Sequence, residues 1–121
     1  MDKQKLNKLM AEKVLGWEKK SWVVGVNGIG SDIHSTDWFC NGNLMLGLPN
    51  FCDNIADAFM LVDKMREKGY RYFVMSFFDK ECDISFSKSW GYLGPNIAAK
   101  ATAPTPSLAI VLAIEKTLLN I

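Results

Sequence analysis

The segment from Ser107 to Asn120 limits the folds open to this chain more than any other. Leu108, Ile110, Val111, Leu112, Ile114, Leu118 and Leu119 leave almost no polar face on a helix. The unbroken apolar stretch Leu108–Ile114 is far too short to cross a bilayer. A helix of this kind must be central to the core, or be buried on a second side by a partner chain. Thr105 is placed to cap it and Pro106 to be its first residue, where the missing N–H costs nothing.

The rest of the chain must therefore supply layers around that helix. With 121 residues it is one domain, residues 1–121, able to bury roughly two-thirds of its unfolded surface. Hydrophobic residues make up 49% and charged residues 22%, as in ordinary globular proteins. The net charge of +1 argues against nucleic acid or an anionic membrane as a partner, since both call for a concentrated basic face. The basic start "MDKQKLNK" reads as a solvated helix face. Cys40, Cys52 and Cys82 form no CxxC pair and read as reduced thiols of a cytoplasmic protein. A soluble protein is expected, since the polar first residues are followed by no apolar signal core.

Two more helices are legible. Leu6, Leu9, Met10 and Val14 recur at helical spacing over Asp2–Leu15, with Gly16 placed to end the helix and Trp17 to fold back on it. In "GLPNFCDNIADAFMLVDKMREKGY", Asn54 is an N-cap and Asp57 suits the positive helix end. Ile55, Ala58, Phe59, Val62 and Met65 form an apolar face, and Gly69 terminates the run behind Lys64, Arg66 and Lys68.

Between the helices, Ser21–Val26, Tyr70–Phe78 and Cys82–Trp90 are rich in β-branched and aromatic residues and read as strands. Asn41-Gly42-Asn43 is the strongest hairpin signal. In Cys82–Trp90, Ile84, Phe86 and Trp90 share one face and Asp83, Ser85 and Ser87 the other, so one sheet face is expected to be wet. Asn27–Thr36 and Gly91–Ser107 read as loops. The order of elements predicts an α+β domain with helices on a mostly antiparallel sheet.

No motif for catalysis, cofactor or metal survives comparison with a structural role. "GIGSDI" lacks the third glycine of a dinucleotide loop, and Ile33 stands in its place. Cys40 and His34 could form a nucleophile and base, but Cys40 sits in an apolar strand where a thiol is a small hydrophobe. Asp79, Glu81 and Asp83 fall at a hairpin tip beside Lys80, and Asp53 and Asp57 serve a helix start. The candidate ligand-binding residues are Trp38, Arg71, Trp90 and Tyr92, aromatic planes and a guanidinium that could hold a nucleotide or a protein loop.

"LMAEKVLGW" (Leu9–Trp17), "WFCNGNLMLGLPNFCDNIADAFMLVDKMREKGY" and "ATAPTPSLAIVLAIEKTLL" resemble, in order and spacing, the phage ABA sandwich-domain family. The chain departs from it at Cys52-Asp53-Asn54-Ile55, which replaces an "S-T-D-I" helix lead, and at the extra Thr105-Pro106. The resemblance implies a three-layer α/β/α sandwich with about three helices, in a phage- or prophage-encoded accessory protein of the host cytoplasm. It brings no catalytic residues. The leading functional expectation is a non-enzymatic protein that binds a host macromolecule or self-associates through the 107–120 helix. The alternative is a binder of a small nucleotide signal of host defence, and a Cys/His enzyme ranks third. Function is expected in the loops Asn27–Thr36 and Gly91–Thr105.

Overall fold

The computed structural model describes residues 2–92 and 94–119, without the side chains of residues 90, 91, 94 and 95. Its helices and antiparallel strands make the expected α+β sandwich. The elements run α1 (Lys3–Lys13), β1 (Glu18–Val26), β2 (Asp32–Cys40), β3 (Asn43–Met45), α2 (Ile55–Glu67), β4 (Tyr72–Phe78), β5 (Glu81–Gly91), β6 (Gly94–Ala103) and α3 (Pro106–Leu119). The strands divide into two antiparallel sheets, β1-β2-β3 and β4-β5-β6.

Helix α3 is the centre of the molecule. It packs against β5, β6, α1 and α2, and Ala109, Ile110, Val111, Ala113 and Ile114 are fully buried. The apolar excess read from the sequence is thus mostly spent inside the chain. What remains outside is the half-buried strip of Leu112 and Leu118, and Leu119 at the helix end. Thr105 caps the helix as expected: its carbonyl accepts from Ala109 N at 3.0 Å and its hydroxyl from Leu108 N at 3.4 Å.

The other helices start and stop for the anticipated reasons. Asp2 accepts from Gln4 N and Lys5 N, and Asn54 accepts from Asp57 N at 3.1 Å. Gly16 and Gly69 take φ of 74° and 102°, the left-handed stops that close α1 and α2. Behind Gly16, Trp17 N donates to Ala11 O at 2.9 Å, and the indole is buried. The buried stripe of α2 is Ala58, Leu61, Val62 and Met65. This is rotated from the expected face, because Ile55 and Phe59 lie at the rim, where Phe59 meets Phe73 edge-on at 6.2 Å.

The second sheet turns Cys82, Ile84, Phe86, Ala101 and Ala103 to the core. Asp83 and Lys100 are on its other, more open face, but Ser85 and Ser87, expected to be wet beside Asp83, are buried, and the register slips at Ser87 and breaks the alternation. Two loop expectations are corrected. Gly91–Ser107 contains β6, whose alanines are small enough for α3 to lie close. Pro95 is accommodated because β6 is an edge strand. Asn27–Thr36 contains the first half of β2, and only the tip turns, with Asn27 Oδ1 accepting from Ile29 N and Ser31 N. The Asn41-Gly42 hairpin forms as read, with φ of 52° and 81°.

Candidate functional site

The first sheet is a layer apart from the core. Its β2–β3 end is held to the body through half-buried Trp38, Cys40 and Met45. Every residue of β1 except Gly25 is exposed. Trp22, Val23, Val24, Val26, Ile29 and Ile33 are therefore apolar and exposed, with Val26 at 63% and Ile29 at 87%. On the outer face, Trp22 Nε1 donates to Asp37 Oδ2 at 2.6 Å and the ring meets Phe39 edge-on at 5.9 Å. Ser35 Oγ also donates to Asp37 Oδ2, at 2.8 Å. These two donors hold the Asp37 carboxyl below its ordinary value, the indole first.

Where this sheet meets α1, a cleft of about 610 Å³ opens. It is lined by Lys3, Gln4, Asn7 and Lys8 of the first turns of α1, by Lys19 of β1 and Trp38 of β2, and by Asn50 and Asp53 of the segment before α2. A salt bridge of 2.8 Å joins Lys3 to Asp53. That contact depresses the Asp53 carboxyl and raises the Lys3 ammonium from their ordinary values. Asn7 is buried, donating from Nδ2 to Asn50 Oδ1 at 3.3 Å while its Oδ1 accepts from Cys52 N at 3.1 Å. The Lys19 ammonium stands 5.8 Å from the centre of the Trp38 ring. Lys8 and Lys19 have no carboxylate partner among the described residues.

Of the four candidate residues, Trp38 alone lines this cleft. Arg71 is exposed in the link between α2 and β4, and Tyr92 is fully exposed in the β5–β6 turn. The Trp90 side chain lies outside the described residues. Lys3, Asn7, Lys8, Lys19 and Asn50 join the cleft without a motif that marks them in the sequence. The available signal was Asn7, an amide beside Leu6 and Met10 on the inward side of a helix, where a polar group needs a fixed partner.

His34 and Cys40 share a strand with six residue steps between them, roughly 20 Å at strand rise. They are far beyond hydrogen-bond reach of one another. The Cys52 thiol is buried and pushed up to about 11, chiefly by that burial. No group of three His, Cys, Asp or Glu side chains that could hold a metal comes together among the described residues. No helix among them is long and apolar enough to cross a membrane.

A family model, the Phage ABA sandwich domain, matches residues 8–113. The matched span begins in α1 and ends within α3, so it takes in both sheets. No curated protein and no solved structure matches the chain.

Proposed function

From the premise that the chain belongs to the phage ABA sandwich-domain family and is phage-associated, we propose that it is a non-enzymatic accessory protein that works by association. Its contact surface is the β1–β2 arm, and the occupant is the same arm of a second copy.

The observation that carries this reading is the set of exposed apolar residues on β1. Ser21–Ile29 contains no charge and no proline, on a strand that is an edge of its sheet. Edge strands of monomeric proteins are usually protected by lysine, proline or a covering element. In β1, Lys19 and Lys20 guard only the start, and a bulge falls between Val23 and Gly25. Beyond the lysines the exposed Trp22, Val24 and Val26 offer an apolar surface suited to a two-fold contact in which each copy presents the same residues. With a net charge of +1, two copies repel one another little. The sequence had pointed to the 107–120 helix as the contact; with most of α3 in the core, the arm is the larger apolar surface left exposed.

An exposed edge of this kind would also accept an extended segment of a host protein by strand addition. Size-exclusion chromatography with light scattering separates the two occupants. The expected result is a dimer for the native chain and a monomer for Val24→Lys. If the native chain is monomeric at every concentration, the second copy is ruled out. Retention of a host protein by the native chain and not by Val24→Lys would then identify the other occupant.

A further inference from the structure

We propose that the cleft between α1 and the first sheet is a binding site for a phosphorylated nucleoside. The cleft shares the arm through Lys19 and Trp38 but not the Ser21–Ile29 stretch offered for association, and neither reading depends on the other.

A volume of about 610 Å³ lies within the range of small-molecule sites. Its charges are unequal. Asp53 is neutralised by Lys3, which leaves the ammonium groups of Lys8 and Lys19 to set the sign of the cleft. Two uncompensated ammonium groups lining one cleft from different elements suit a compact anion with several oxygens, and phosphate has that form.

Trp38 supplies the second half of the recognition. Its half-buried ring is fixed by packing against the core, and its cross-strand partners are Lys19 and Met45. The Lys19 ammonium stands 5.8 Å from the centre of that ring. Lysine is long and flexible, so an arriving phosphate draws the ammonium off the ring and frees an aromatic surface for a base to stack on. One side chain thus couples the two halves of the ligand: the anion claims Lys19, and the base takes the place Lys19 leaves.

The amides fix the arrangement. Asn7 is locked between Asn50 and Cys52 N, and so holds α1 and the segment before α2 at a set separation. Gln4, exposed and lining the same cleft, is free to read the ribose or base edge. Free phosphate would satisfy the lysines but not Trp38, and a nucleoside would satisfy Trp38 but not the lysines. Only the combined ligand uses both.

The test is calorimetric titration of the full chain with AMP, GMP, CMP and UMP, with adenosine and inorganic phosphate as partial ligands. At least one mononucleotide is expected to bind at least tenfold more tightly than either partial ligand. Lys8→Ala and Lys19→Ala should each weaken it several-fold and flatten its salt dependence, while Trp38→Leu should weaken it by roughly tenfold or more. Lys8 and Lys19 are exposed, so these variants keep the core; circular dichroism confirms that they fold, and they carry the test if Trp38→Leu does not. Binding of no mononucleotide, or binding that all three variants leave unchanged, overturns the proposal. Binding of phosphate alone, or of an oligonucleotide without any mononucleotide, overturns it as well. Val24→Lys is expected to bind as the native chain does.

Discussion

Ser107 Oγ donates a 2.9 Å hydrogen bond to the carbonyl oxygen of Cys52, tying the first turn of α3 to the turn before α2. Both residues are buried. Cys52 N is held by Asn7 Oδ1, so one peptide neighbourhood joins α1, the pre-α2 turn and α3. The bond lies between segments 55 residues apart in the chain. Ser107→Ala leaves the Cys52 carbonyl buried and without its side-chain partner, at a cost of about 1–3 kcal/mol. Urea unfolding should show a lower midpoint with an unchanged slope; an unchanged midpoint would mean that the bond adds nothing.

Cys52 should be almost inert to alkylation in the folded chain. Burial lifts its thiol from 9.0 to about 11, so near pH 8 its thiolate fraction falls roughly a hundredfold. Iodoacetamide labelling followed by peptide mapping is expected to modify Cys52 only after denaturant is added. Rapid labelling of Cys52 in the native chain would contradict the packing described for it.

The spacing between β6 and α3 depends on side chains of minimal size. Ala101 is paired with Ile84 across the sheet and buried in the core. Ala101→Leu is expected to destabilise by about 1–3 kcal/mol through overpacking, although it adds apolar surface. Thermal unfolding checks the sign: a higher melting temperature would show an unfilled space behind β6.

Asp37 gives the arm a pH dependence. The indole of Trp22 and the hydroxyl of Ser35 bond to its charged form, so its folded-state value lies below the ordinary 3.8. For a depressed carboxyl, the stabilisation is complete above the unfolded value and is lost as pH falls through the folded one. The Trp22 indole N–H resonance should therefore hold steady from neutral pH down to about 4 and shift only below 3.8. Trp22→Phe should return the Asp37 midpoint toward 3.8. A midpoint above 3.8 in the native chain would refute the contact.

How much of this could be read from the chain differs by element. The helices were legible because their signals are local: Asn54 and Thr105 cap within a turn, and Gly16 and Gly69 stop by their own dihedral freedom. β6 was not, since "IAAKATA" lacks the β-branched alternation of a typical strand. What makes it a strand is the proximity of α3, which rewards small residues and cannot be seen from within the segment. The first half of β2, "DIHST", was hidden by its polarity, because both its faces meet solvent. The cleft was the least legible feature. Lys3, Lys8, Lys19, Trp38 and Asn50 come from four separate segments, and only the folded chain brings them together.

The position of α3 has a consequence for the chain's synthesis. α2, β4, β5, β6 and α3 are consecutive, and both strand pairings among them join neighbours. α1 is different: it is the first described helix to be made, and it packs on the last. While the ribosome is still adding the residues between them, Leu6 and Met10 have no α3 to cover them. α1 can be tied to the pre-α2 turn through Asn7 early, but its apolar stripe must wait until α3 has emerged, and for that interval the nascent chain offers that stripe to whatever chaperones the cell holds near the exit tunnel.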